Sequence, residues 1–293
     1  MSNASKDTLV TGQHTARKPK LGQHFLVDQQ ARHKIVEALG DVSQVTVIEI
    51  GPGRGALTDL LAPRAGHLVA VEFDRVLAAQ LRMRYSRLPH VEIIEADILT
   101  VDIRTMIGNR RGPLRDLRPS EQPKARVVGN LPFYITSDIL LRLFAERDYF
   151  DRIVIMVQLE VADRLAAAPG TRDYGLLSAT AQLSGRVEKL FTLPAGAFSP
   201  PPEVESAVLR IEIAPRFDEL RIDEPGFIQF LKHSFAQKRK MLSSNLREHF
   251  NPALLRKALP AAGIEPGARA EAVPLEQMAA LYRELTAAGK QRA

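Results

Sequence analysis

Gly51, Gly53 and Gly55 stand at alternate positions directly after the apolar run of residues 45–50, and an apolar helical pattern resumes at Ala56. A strand that breaks into such a turn and re-enters a helix lets the backbone approach a ligand without Cβ interference. It also aims free N–H groups at that ligand, as a loop binding a nucleotide-like cofactor does. The same spacing serves plain strand-to-helix connectors, so the loop alone decides nothing. Glu72 closes the next β-like run, residues 67–71, about twenty residues after Gly51, where a carboxylate can accept from ribose hydroxyls. Asp97 ends a third such run, placed to accept from an adenine amino group or, equally, to cap the helix that follows. A nicotinamide cofactor and S-adenosylmethionine both carry the ribose, and up to this point both stay open.

Asn130-Leu131-Pro132-Phe133, at the end of a fourth apolar run, discriminates between them. Hydride transfer has no evident use for it. Methylation of an exocyclic amine does: the Asn130 amide oxygen and a fixed backbone carbonyl at Pro132 can accept from an NH₂ group, and Phe133 can stack on the base. The proline restricts the turn, so the acceptors are set before substrate arrives. The four residues can also simply end a strand. Following a glycine loop, Glu72 and Asp97 in this order, they read as a site. The stiff loop of residues 195–202, with three consecutive prolines, can hold Phe198 at its rim or pack it inside.

The elements that must position these residues follow an α/β rhythm. Asp28 is placed to cap a helix bearing Ile35, Val36 and Leu39, and Asp74 one over residues 75–85. Residues 136–138 read as the cap of a helix with Ile139, Leu140, Leu143 and Phe144 on one face. Residues 152–158 read as a fifth strand and 159–168 as a helix. Residues 187–193 and 204–213 read as two last strands able to pair antiparallel at the sheet edge. The expected fold class is α/β, a seven-stranded doubly wound sheet. Beyond Pro215 only short helices are predicted, over residues 227–235, 239–249, 252–259 and 275–286. Residues 1–20 read as a flexible basic arm, 21–214 as the α/β domain and 215–293 as a second, helical domain.

The 293 residues, 45% of them hydrophobic, suffice for a large core and a small appendage. No run is apolar for the length of a membrane span and the first 20 residues have no apolar centre, so a cytoplasmic protein is expected. The absence of cysteine excludes disulfides and thiolate catalysis, and seven scattered histidines predict no metal site. A net charge of +6 suits a polyanionic partner. Three places carry the charge: the arm ending at Lys20, an aperiodic basic loop over residues 104–126, and Lys238, Arg239, Lys240 and Arg247. The last group reads as a phosphate-binding stripe at the start of a helix, or as an ordinary solvated helix face.

Five segments now add up to a resemblance: Gly22-Gln23-His24-Phe25-Leu26, Glu49-Ile50-Gly51-Pro52-Gly53, Asn130-Leu131-Pro132-Phe133, the run from Phe198-Ser199-Pro200-Pro201-Pro202 through Ser206-Ala207-Val208, and Phe235-Ala236-Gln237-Lys238-Arg239-Lys240-Met241-Leu242. In this order, across residues 17–286, the chain resembles the 16S ribosomal RNA adenine N6,N6-dimethyltransferases, the kasugamycin-sensitivity enzymes. The resemblance implies a Rossmann-like class I methyltransferase domain with a small all-helical C-terminal domain that binds rRNA. It implies dimethylation of two adjacent adenosines in the 3'-terminal hairpin loop of 16S rRNA in the small ribosomal subunit, by a monomer. His24, Leu26, Gly51, Gly53, Glu72, Asp97 and Asn130 then bind S-adenosylmethionine. Asn130 and Pro132 orient the amine, and Phe133 and Phe198 stack on the base. Two departures stand out: the family often has Tyr at the position of Phe133 and Asn at that of Tyr134, and the basic loop is longer than usual. A 23S rRNA methyltransferase of the erythromycin-resistance type shares much of this pattern. A non-catalytic RNA-binding assembly factor and a nicotinamide oxidoreductase are the readings from other classes.

Overall fold

The computed structural model describes residues 23–108 and 124–290. The basic arm, Gly22 and most of the basic loop therefore lie outside the described residues. The chain enters through a two-residue strand β1 (Phe25–Leu26) and helix α1 (Gln29–Ala38), where the Asp28 carboxylate accepts from the Ala31 N–H at 2.9 Å, as its spacing predicts. Four strand–helix units follow. They are β2 (Thr46–Ile50) with α2 (Thr58–Leu61), β3 (His67–Glu72) with α3 (Arg75–Tyr85), β4 (Val91–Glu95) with α4 (Ile103–Gly108), and β5 (Ala125–Asn130) with α5 (Thr136–Ala145). Then come β6 (Phe150–Gln158), α6 (Leu159–Ala166), α7 (Leu176–Ser184), β7 (Gly185–Leu193), β8 (Phe198–Ser199) and β9 (Ser206–Ile213). The remainder is helical: α8 (Phe217–Leu220), α9 (Glu224–Ser234), α10 (Leu242–Leu246), α11 (Pro252–Ala261) and α12 (Leu275–Lys290).

Seven strands form one sheet in the order β4-β3-β2-β5-β6-β9-β7, parallel from β4 to β6, with β9 antiparallel to both β6 and β7. The chain winds outward from β2 to β4 and then returns to β5 on the other side of β2. At this reversal the connections leaving β2 and β5 diverge, which opens a crevice at their carboxyl ends. Strand alternation divides the buried residues between two faces. Ile48, Ile50, Val69, Val127, Ile153 and Ile155 pack with Ile139, Leu140 and Phe144 of α5. Val47, Leu68, Val128, Val154 and Met156 pack with Ile35, Leu61 and Leu81 from the helices opposite. β2 is held on both edges, in parallel register with β3 (Ile50 opposite Val71) and with β5 (Ile50 opposite Gly129).

A separate core joins Phe227, Phe230, Leu231, Leu255 and Tyr282 of the C-terminal helices, with the Phe227 and Tyr282 rings edge-on at 5.4 Å. This core draws in Tyr174, Ala179 and Leu183, so α7 is the surface on which the C-terminal helices rest.

Several expectations are corrected. Asp74 caps α3 as predicted, but α5 has no side-chain cap: Thr136 is already helical and its hydroxyl donates back to the Pro132 carbonyl at 2.9 Å. Arg104 and Arg126 are not in an aperiodic loop. Arg104 lies in α4, and Arg126 lies in β5, where it pairs with Asp151 at 2.9 Å and donates to the Leu39 and Asp41 carbonyls. The pair β1/β8 and helix α7 were not anticipated. Among the described residues no helix is long and apolar enough to cross a membrane.

Candidate active site

A cavity of about 360 Å³ opens at the carboxyl ends of β2, β3 and β5 and is lined by residues of the β1 segment, the glycine loop, Glu72, Asp97 and residues 130–135. That volume falls in the range of small-molecule sites. The glycine loop follows from local chemistry: Gly51 and Gly53 have φ of +66° and +59°, which only glycine adopts without strain, and a Cβ on Gly53 would stand 3.0 Å from the Phe25 ring. The Arg54 guanidinium lies over that ring, 4.3 Å from its centroid.

Glu72 is 5% exposed at the end of β3. Its Oε2 accepts from the Gly53 N–H at 2.9 Å and its Oε1 from the Asp74 N–H at 2.8 Å, so the carboxylate ties the glycine loop to the start of α3. Burial raises its pKa, and those hydrogen bonds oppose the rise. A second acid was missed. Glu49 of β2 is 1% exposed and lines the cavity, its Oε2 without a hydrogen-bond partner. Burial, with the Glu72 charge adding to it, pushes its pKa up to about 8, so at neutral pH it keeps its proton. The signal was present in the sequence: a glutamate stands where the Thr46–Ile50 strand calls for an apolar residue.

The other predicted residues fall as follows. Asp97 lines the cavity and accepts from the Leu99 N–H at 2.9 Å, which caps a turn over residues 98–100 and not a helix, since α4 begins only at Ile103. Leu26 is 3% exposed at the cavity edge, and its carbonyl accepts from Arg32 at 2.7 Å. Asn130 ends β5, and its Nδ2 donates to the His24 carbonyl at 2.8 Å. Pro132 does not fit the acceptor role, because its carbonyl already accepts from the Thr136 hydroxyl at 2.9 Å and the Ile135 N–H at 3.3 Å, one donor for each lone pair. The base-stacking role of Phe198 fails as well. It pairs with Leu26 across β1 and β8 and is buried to 3% with Leu193 and Val208, away from the cavity lining. Phe133 is half-buried, lines the cavity and stacks on His24. Two exposed aromatics at the cavity, Phe73 (60%) and Tyr134 (64%), had not been singled out as site residues.

Lys238, Arg239 and Lys240 are not at a helix start. They occupy an exposed turn between α9 and α10, and Arg247 follows α10. The helix breaks there because buried Asn245 donates to the carbonyls of Ser234 (2.7 Å) and Gln237 (3.2 Å), clamping the end of α9 against α10. Lys238 Nζ donates to the Arg172 carbonyl at 2.7 Å, which brings the turn against the loop before α7.

A seven-stranded sheet with this order, a glycine loop at its reversal point and an Asn-Leu-Pro-Phe exit from β5 together define the class I methyltransferase fold. Residues 14–287 match the family model of the ribosomal RNA adenine dimethylases, and the chain belongs to that family. It is 62% identical over 270 residues to the ribosomal RNA small subunit methyltransferase A of Koribacter versatilis, covering 92% of this chain and 95% of that one. A dimethyladenosine transferase from Plasmodium falciparum superposes with a TM-score of 0.75 at 22% identity, over 91% of this chain and 98% of that one. The 23S rRNA methyltransferase ErmE superposes less closely, with a TM-score of 0.65, at 25% identity over 89% of this chain and 99% of that one.

Proposed function

We propose that this chain dimethylates N6 of two adjacent adenosines in the 3'-terminal hairpin loop of 16S rRNA, acting in the cytoplasm as a monomer on the small ribosomal subunit, with S-adenosylmethionine as methyl donor. Residues 21–214 carry the chemistry and 215–293 dock the RNA. The observation that carries this reading is the Asn130 amide. Its nitrogen is committed to the His24 carbonyl, so its oxygen is the end left to accept from an exocyclic amine.

The residues present fit the cofactor. Glu72 has a second lone pair on each oxygen for ribose hydroxyls, Gly51 and Gly53 make a left-handed turn whose backbone is bare of side chains at the cavity, and Glu49 Oε2 is a buried carboxyl oxygen without a partner. When bound, the cofactor supplies a methyl group already activated on a sulfonium. No strong base is then required, and the protein's contribution is alignment and exclusion of water. Asn130 Oδ1 accepts one amine proton. With Pro132 occupied, the backbone acceptor moves to the preceding carbonyl, that of Leu131, which also lines the cavity. Held this way, the amine lone pair is drawn out of conjugation with the ring and pointed at the methyl group; the nitrogen becomes cationic and acidic on methylation and then gives its proton to solvent water. The base must be unstacked to reach the cavity; Phe133 offsets part of that cost by stacking. Incubation with undermethylated small subunits and labelled S-adenosylmethionine, followed by mapping of the label, tests the proposal. Label at N6 of the two adjacent 16S adenosines is expected; label elsewhere in 16S rRNA, or none, overturns it.

A further inference from the structure

Tyr134 stands at the mouth of the cavity with its side chain mostly in water. It is 64% exposed, and among the described residues it has no ring contact and no side-chain hydrogen bond. A lone exposed aromatic is ordinary on a protein surface, so the place of this one is what matters. Phe133, Tyr134 and Ile135 form a single 3₁₀ turn, in which successive side chains diverge by about 120°. Phe133 lines the cavity half-buried and Ile135 packs on the core beside α5, which leaves Tyr134 the outward position at the rim. The turn is held at both ends. The Leu131 N–H donates to the Met156 carbonyl at 3.0 Å before it, and the Pro132 carbonyl accepts from the Thr136 hydroxyl at 2.9 Å across it.

We propose that Tyr134 forms a second base subsite, a stacking platform for the purine next to the one in the cavity. This rests on the adenine methyltransferase reading, in which two adjacent adenosines are taken in turn. When one adenine leaves the RNA stack to enter the cavity, its neighbour loses the face it was stacked on. Tyr134 offers a replacement one residue from Phe133, their Cα atoms about 3.8 Å apart, so two nucleotides joined by one phosphate can meet the two rings. Stacking engages the face of a base and not its exocyclic edge. The platform therefore holds the neighbouring adenine both before and after its own N6 is methylated, as successive reactions at one cavity require. The other aromatics are placed differently. Phe198 is buried in the β1/β8 pair, and Phe73 follows Glu72 at the end of β3, beside the ribose carboxylate. Tyr134 follows β5, on the side of Asn130.

Undermethylated small subunits and the full chain test this. Tyr134→Leu should lower kcat/KM for the subunits by about five- to a hundredfold, while the dissociation constant of S-adenosylmethionine, read by calorimetry, stays within about threefold of wild type. Tyr134→Phe keeps the face and loses only the hydroxyl, so it should restore kcat/KM to within about threefold of wild type. The ring is exposed, so neither change disturbs the core, and the cofactor constant reports an intact fold. Wild-type kcat/KM in Tyr134→Leu overturns the subsite. So does an equal loss in Tyr134→Phe, which would make the hydroxyl the contact. A cofactor constant raised about tenfold or more in Tyr134→Leu overturns it too, and assigns the ring to the cofactor. A readout without turnover separates the subsite from the reading it rests on: with benzoylphenylalanine in place of Tyr134, the photocrosslink to the small subunit is mapped on the RNA. A crosslink at the adenosine pair, with no label transferred by the unsubstituted chain, strikes the function and leaves the subsite standing. Labelled adenosines with the crosslink elsewhere in the RNA strike the subsite alone.

Discussion

Asn130 illustrates how much one side chain can do when its two ends are assigned different partners. The amide nitrogen is held by the His24 carbonyl, so its oxygen is oriented without help from substrate. Asn130→Ala should therefore lower kcat by about 10²–10³ while RNA affinity stays close to wild type, since one preorganised polar group of this kind is worth that much. Filter binding beside single-turnover methylation measures both, and wild-type turnover would reduce Asn130 to a strand terminator. Glu49 makes a different prediction, one about pH. Its pKa is raised from the ordinary 4.5 to about 8, so between those values the folded chain holds a proton that the unfolded chain has lost. The stabilisation is complete below pH 4.5 and is lost as pH rises through about 8. Without cofactor, stability should fall with pH across this window, by at most about 1.4 kcal/mol per unit from this one group. Glu49→Gln should flatten the slope in urea titrations run from pH 5 to 8.5. A slope identical in the two proteins would mean that Glu49 is already ionised.

At the scale of elements, the structure hangs on ties between segments far apart in sequence. Buried Arg147, in the turn before β6, pairs with Glu224 at the start of α9 and lies over Phe217, 4.4 Å from its centroid. The two ends of this pair are unequal: the arginine side chain is 7% exposed, the glutamate 38%. Glu224→Ala strands a buried guanidinium and should cost about 2–4 kcal/mol, whereas Arg147→Met leaves a carboxylate that water can reach and should cost about 1–2 kcal/mol. Urea denaturation orders them, and a reversed order would show that the guanidinium finds other partners. Ties of this kind were not legible in the sequence. What was legible had local signatures: the glycine loop, the period-two strands, and the Asp28 and Asp74 caps. α7 escaped because it is buried on nearly every side, Ser178, Thr180 and Ser184 included, and starts from Gly175, which has no side chain to cap with, so polar and apolar residues do not separate into two faces. β1 and β8, two residues each, exist only because they meet, and that meeting is what takes Phe198 away from the cavity. The Pro132 carbonyl was misassigned for a related reason, since its donors, Thr136 and Ile135, become neighbours only when the chain turns into α5.

For the molecule as a whole, the question is how a small cavity gains access to one loop of a large RNA. The net charge of +6 gives general attraction, which is long-ranged at low salt and weak at physiological salt. Docking needs charge in a defined place. The candidate we propose is the turn of residues 238–240, which carries three exposed cations, with Asn245 clamping the helices on either side and Lys238 donating to the Arg172 carbonyl, at the junction of the helical core with the loop before α7. The cofactor crevice lies at the other end of the fold's connectivity, at β2 and β5, and shares no residue with this turn. Replacing Lys238, Arg239 and Lys240 together by alanine should therefore leave S-adenosylmethionine affinity unchanged and weaken binding of small subunits. Each phosphate contact removed should also reduce the slope of log affinity against log salt by about 0.7–0.9. An ordinary solvated surface predicts wild-type affinity and slope. Filter binding across a salt series separates the two, and an unchanged slope would remove this turn from the RNA interface.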